Sequence, residues 1–166
     1  MKLSPKLLTA LNEQMNFEFL SERVYRVMEA FFDNVNYDNF KALMHSQADG
    51  EHEHAMKFYD YILDRLEMPD MSAIQAYPYK VPTKPSEALA LVYEHEQKVT
   101  ARIHALRDLA MQEEDHPTCE FLLWFIREQV EEERTAEKWS SLAKSVKDDP
   151  VGILLLDHTV HEELED

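Results

Sequence analysis

Glycine is nearly absent from this chain, at 2 of 166 residues. β-Branched runs are few as well, and Leu, Ala, Glu, Lys and Met are abundant, which excludes strands and predicts an all-α fold. A single cysteine, Cys119, excludes a disulfide framework within the chain and any cysteine-based zinc site. It fits a reducing, cytoplasmic setting. Positive charge is scarce too: 17 Lys and Arg stand against 33 Asp and Glu, a formal net charge of −16. Phosphate binding needs clustered Lys and Arg, so nucleic acid is excluded as a partner. Long apolar runs are missing. The longest uncharged one, Val151 to Leu156, is far too short to span a bilayer. Met1 to Gln14 has neither an apolar run nor a small-residue cleavage site, so no signal peptide is expected. These absences predict a soluble, cytoplasmic protein with no membrane partner.

What is present is helical period. The first predicted segment runs from Pro5 to about Asp33, with Ser4 as N-cap and a stripe of Leu7, Leu11, Met15, Glu18, Tyr25 and Phe32. A short polar turn, Asn34 to Asn39, leads to a second segment ending near Glu67, so the two are antiparallel neighbours. Met68 to Lys84 carries Pro69, Pro78 and Pro82 and no helical period, which reads as a long crossover. The third segment spans about Pro85 to Gln112. After the turn Glu113 to His116, Pro117 opens a fourth that reaches about Val146. Asp149-Pro150 starts a short fifth helix to about Glu163, too apolar for a tail and expected to pack against something outside the bundle, such as a symmetry mate. The expectation is one domain over residues 1–166: a four-helix bundle at about 5–146 and a fifth helix at about 150–163.

The chemistry lies on the stripes. Glu51 and His54 are three residues apart on the apolar stripe of the second segment, so a carboxylate and an imidazole share one helix face. Glu18, Glu96 and Glu132 each interrupt the apolar stripe of another segment. Ionised carboxylates are almost never buried unless paired or metal-bound. Two like charges 4 Å apart repel by about 4 kcal/mol at an effective dielectric near 20. The Lys and Arg nearby fall on other faces, so a bound cation is the cheaper solution. Four inward carboxylates and one histidine predict a di-metal site inside the bundle. Without a metal, the same residues would be a buried polar network in a helical structural or adaptor protein.

At this point the residues resemble a known family. Asn12 to Asn16 before Glu18, the Glu51/His54 pair, Tyr93-Glu94-His95-Glu96 and Phe125 to Glu133 look like the signatures of bacterial non-haem ferritin. The similarity covers essentially the whole chain, and four motifs in order are specific where one alone is weak. The resemblance implies a ferroxidase centre. Glu18, Glu51 and His54 would hold the first iron, with Glu51 bridging, and Glu96 and Glu132 the second, with Gln129 beside it as ligand or hydrogen bonder. Tyr25 matches the family's tyrosine next to the centre, and Trp124 a nearby aromatic that can supply an electron; core packing is the plain alternative for both. The family oxidises two Fe²⁺ with dioxygen or hydrogen peroxide and stores Fe³⁺ as mineral inside a shell of twenty-four copies.

Four departures from related patterns refine the expectation. Gln129-x-x-Glu132 replaces the second Glu-x-x-His of symmetric di-iron proteins, which argues against bacterioferritin and predicts a looser second iron. Bacterioferritin also binds haem through a methionine just after the bridging glutamate; His52 stands there, so haem is not expected. Rubrerythrin-like proteins carry paired Cys-x-x-Cys motifs, which this chain lacks. Several bacterial ferritins build a third iron site from a Glu before the bridging one and two on the fourth helix. This chain has Glu128 and Glu131, expected on a solvated face with Glu133, but Gly50 at the other place. The remaining histidines, among them His95, are expected at the surface or satisfied, and Glu113 to Asp115 in a polar turn.

Overall fold

Helices follow wherever the sequence pairs a cap with a period. The computed structural model describes residues 2–71 and 74–165, and among these there are five helices and no strand. α1 (Pro5–Asn34) begins where Ser4 Oγ accepts the Leu7 N–H at 3.2 Å and Pro5 takes the first turn. α2 (Asp38–Asp64), α3 (Pro85–Gln112), α4 (His116–Val146) and α5 (Pro150–Glu165) complete the set. α1 packs on α2 and α3 on α4, and α1 also meets α3. The connection between α2 and α3 is tied to α1, where Asn16 Nδ2 donates to the Asp70 carbonyl at 2.8 Å and Asp70 N–H donates to Asn12 Oδ1 at 2.6 Å.

Three boundaries depart from expectation, each through a tertiary contact or a backbone turn. α2 starts at Asp38, inside the expected turn, because Asp157 of α5 caps it: its Oδ1 accepts from Asn39 N–H (3.1 Å) and Phe40 N–H (2.8 Å). α2 stops at Asp64, short of Glu67. Leu66 turns left-handed (φ 59°), and Glu67 N–H bonds back to the Ile62 carbonyl at 3.2 Å. α4 starts at His116, one residue before Pro117, because Asp115 Oδ1 accepts from Thr118 N–H at 3.0 Å.

The fifth helix is two-sided. One side packs on the bundle, where Ile153, Asp157 and Val160 are buried and α5 contacts α2 and α4, so only part of its apolar surface is left to meet something outside. Gly152 makes this possible, since a Cβ there would lie 2.8 Å from Val146 Cβ. Its other side leaves Val151, Leu154 and Leu155 exposed.

The core has three layers. One apolar cluster joins Phe32, Phe40, Met44, Leu89, Trp139 and Ile153. Another joins Leu7, Leu11, Phe58, Ile62, Ile103 and Phe125. Each such side chain contributes about 1.5–3 kcal/mol by leaving water. Between the clusters lies a buried polar layer with Glu18, Glu51, His54, Glu96 and Gln129. No helix of the described residues is long and apolar enough to cross a membrane.

Candidate metal centre

The helical period brings the five stripe residues together. Each of the four bundle helices contributes one carboxylate: Glu18 from α1, Glu51 from α2, Glu96 from α3 and Glu132 from α4. Glu18 and Glu96 are fully buried and Glu51 is 1% exposed, while Glu132 is intermediate. Three groups offer ligand atoms all within 4.8 Å of one another: Glu18, Glu51 and His54; Glu51, Glu96 and Glu132; and His54, Glu128 and Glu132. Glu51 belongs to the first two, and His54 and Glu132 each belong to two. The centre is asymmetric, with its one imidazole on the α2 side.

Partnering sorts the carboxylates. Glu96 is satisfied on both oxygens: Tyr25 donates its hydroxyl to Oε1 at 2.5 Å, and Gln129 Nε2 donates to Oε2 at 3.1 Å. Glu18 Oε1 accepts from Gln14 Nε2 at 2.7 Å, but its Oε2 has no partner. Among the described residues Glu51 has no hydrogen-bond partner on either oxygen, and Glu132 Oε2 also has none. A buried carboxylate without a donor is costly. Orphaned oxygens on three helices, facing one imidazole, are what an oxygen-preferring cation would satisfy, so these residues fit a hard metal ion.

Protonation tells the same story. Burial first, then neighbouring carboxylates, pushes Glu132 up to about 9. Burial raises Glu18 to about 7 despite the Gln14 hydrogen bond. Glu51 is raised well above the usual carboxylate range by burial and by Glu96, and Glu96 is raised by burial. Burial and then Lys57 lower His54 to about 4, which keeps its imidazole neutral and able to ligate. Tyr25 is raised well above its ordinary value by burial and by Glu96, so it stays a phenol donor.

The surroundings include groups that stripe reasoning did not single out. Gln14 is buried and holds Glu18, and Arg102 Nε donates to Gln14 Oε1 at 3.0 Å. One cation therefore does stand behind the carboxylates, contrary to the expectation that Lys and Arg fall on other faces. Gln14 stands four residues before Glu18, but only the folded helix turns its amide onto that carboxylate. Trp124 lies edge-on to His54 with centroids 5.4 Å apart and is 39% exposed.

The α4 acids divide. Glu128 is half-buried beside His54, Glu131 is exposed and joins none of the three groups, and Glu133 is half-buried and accepts from Thr100 Oγ1 at 2.8 Å. Nothing lies within 4 Å of a Cβ built on Gly50. His95 is buried and satisfied, with Ser21 Oγ 2.7 Å from Nε2 and Tyr79 hydroxyl 3.0 Å from Nδ1. Asp115, placed in a polar turn by sequence, also clamps Arg65 at 2.6 and 2.8 Å, and that guanidinium lowers it to about 2.

Comparison with known proteins agrees with this geometry. The family model of the ferritin-like domain matches residues 8–146. A bacterial non-haem ferritin of Staphylococcus saprophyticus is 40% identical over 151 residues, covering 89% of this chain and 87% of that protein. The one from Staphylococcus aureus is 36% identical over 153 residues, covering 92% of each. Among solved structures, the open-pore ferritin of Archaeoglobus fulgidus superposes with a TM-score of 0.90 at 36% identity, over 96% of this chain and 98% of that one. Fold, buried carboxylate layer and sequence similarity converge: the chain belongs to the ferritin family of iron-storage proteins.

Proposed function

We propose that this chain oxidises Fe²⁺ at the buried centre and deposits the ferric product as mineral inside a closed shell of its own copies, twenty-four by the family resemblance. Glu51 carries the proposal: it is buried, unpartnered on both oxygens, and common to two ligand groups. In this reading Glu18, Glu51 and His54 hold one iron, and Glu96 and Glu132 the other, with Glu51 between them. Two Fe²⁺ give up two electrons, which reduce dioxygen to hydrogen peroxide or hydrogen peroxide to water, with two protons consumed in either case. Carboxylates that hold protons when empty release them as iron binds, because the cation replaces the proton as the compensating charge. Neutral His54 lets iron bind there without displacing a proton from the ring.

The hydrogen bonds on Glu96 supply the asymmetry. Each Glu96 oxygen keeps a lone pair for iron beside its hydrogen bond, but the donors Tyr25 and Gln129 draw on its electron density, and this weakens the second iron relative to the first. A looser second iron suits ions that move on to a store. Tyr25 also sits where a phenol can give an electron and a proton to the site. The whole chain serves as one domain here, with the fifth helix joined to the bundle through Asp157.

The test adds Fe²⁺ to aerobic apoprotein and follows ferric absorbance in the ultraviolet. A fast phase saturating at about two irons per chain is expected, and Glu51→Ala should slow it at least as much as the ~10–100-fold seen when a metal ligand loses its supporting partner. A fast phase unchanged in Glu51→Ala refutes the centre. Sedimentation giving only monomers and dimers, with and without iron or salt, refutes the shell.

A further inference from the structure

Behind Glu18 runs a chain of donors that begins at the surface of α3. Arg102 is half-buried and held against α1 by three contacts. Its guanidinium lies over the Phe17 ring at 4.2 Å, Nη2 donates to the Glu13 carbonyl at 3.3 Å, and Nε donates to Gln14 Oε1 at 3.0 Å. Gln14 is 2% exposed and passes the chain on, its Nε2 donating to Glu18 Oε1 at 2.7 Å. Glu18 Oε2 is left without a hydrogen bond, on the carboxylate that groups with Glu51 and His54.

A side-chain amide can turn over, exchanging its oxygen and its nitrogen, and both orientations fill the same space. A guanidinium carries only donors, so Arg102 tolerates one of them: the oxygen must face its own side. The nitrogen is then forced toward Glu18, where a carboxylate needs a donor. The turned-over amide would set N–H against N–H at Arg102 and lone pair against lone pair at Glu18, leaving both ends of a buried group unsatisfied.

We propose that Arg102 is a positioning residue for the first iron: it fixes the orientation of the Gln14 amide, which pins Glu18 Oε1 and leaves Oε2 to the metal. The inference rests on the metal centre proposed above. Without Arg102, Gln14 Oε1 loses its donor and the amide is free to turn. Two acceptors then meet at Glu18, nothing holds Oε1, and Oε2 loses its aim. The effect of Arg102 passes through Gln14, which separates it from plain packing on Phe17 and from the direct field of its charge.

The test is calorimetry of Co²⁺ binding to the assembled, metal-free full-length protein. It compares Arg102→Met, Gln14→Leu and the double variant, with Arg102→Lys as rescue. Arg102 belongs to neither apolar cluster, and methionine keeps an apolar stem on Phe17, so these variants should keep the fold. Lysine carries its ammonium one bond beyond the place of Nε and can still donate to Oε1. Arg102→Met should weaken the first Co²⁺ by about three- to tenfold, the worth of one hydrogen bond. The second Co²⁺ should stay within about twofold. Made on Gln14→Leu, the same substitution should change the first Co²⁺ by less than about twofold, because the amide it orients is gone. Arg102→Lys should bind the first Co²⁺ within about twofold of wild type. An unchanged first affinity in Arg102→Met overturns the proposal. A loss that persists in the Gln14→Leu background, or one that Arg102→Lys does not restore, does the same. Wild type that binds no Co²⁺, or binds it as tightly after Glu51→Ala, overturns the metal centre itself and this inference with it.

Discussion

The two halves of the buried polar layer solve the same electrostatic problem in different ways. On the α3–α4 side, Glu96 has a donor on each oxygen, from Tyr25 and Gln129. On the α1–α2 side, Glu18 has one donor from Gln14 and Glu51 has none, although both are buried. Hydrogen bonds compensate Glu96 in the absence of metal, whereas Glu18, Glu51 and, on α4, Glu132 depend on a proton or a cation. A carboxylate already hydrogen-bonded keeps further lone pairs for a metal but offers it less electron density than a bare one. The difference predicts that the α1–α2 half binds first and tighter.

The largest expected effect breaks this asymmetry at its ligands. His54→Leu should lower the initial rate of iron oxidation by about a hundredfold, while Gln129→Leu should lower it by about tenfold, spanning the usual range for changes in and around a metal site. Equal losses, measured by stopped-flow absorbance, would show that the halves do not differ. The paired amides sharpen the same point. Gln14→Leu removes the donor that Glu18 has among the described residues and should weaken binding of the first Co²⁺ in calorimetry by about tenfold; Gln129→Leu should weaken only the second.

Proton linkage gives a further test. A carboxylate raised in the folded state stabilises that state fully below its unfolded value, and this contribution is lost as pH rises through the folded one. The loss begins above the ordinary carboxylate value of 4.5; the Glu18 share is spent by about pH 7, and the Glu132 share continues to about pH 9, so the apoprotein should still be losing thermal stability from pH 7 to pH 9. His54 and His95, both lowered to about 4, act in the opposite sense: their contribution is present above about 6.5, the ordinary histidine value, and is lost as pH falls toward 4. Saturating Zn²⁺ should flatten the alkaline limb, because metal takes over from protons. A melting temperature that stays level from pH 7 to 9 without metal would contradict the burial argument. The smallest effect is Gly50→Ala, which should stabilise by about 1 kcal/mol through helix propensity, since a Cβ there meets nothing.

Much of the site was legible because α-helical period is local. Glu18, Glu51, His54, Glu96 and Glu132 stand out as polar residues on apolar stripes, and the structure brings all five together. Capping signals at Ser4 and Asp149 placed two helix starts correctly for the same reason. Gln14 and Arg102 were not picked out, because an amide and a guanidinium four residues or one helix away carry no stripe signature. The anchor of α5, Asp157 on the N–H groups of Asn39 and Phe40, is not legible in the sequence because it joins residues more than a hundred positions apart.

The sequence by itself determined the helices, their order, the long crossover and the residues that interrupt each apolar stripe. It did so because turn residues, caps and a 3.6-residue period act over a few positions. Only the tertiary structure decided which carboxylates keep a hydrogen bond and which are left bare, how α5 closes on the bundle, and that His54 faces two acidic groups at once. Those outcomes depend on distances between side chains of different helices, which the packing of two apolar cores above and below the polar layer sets.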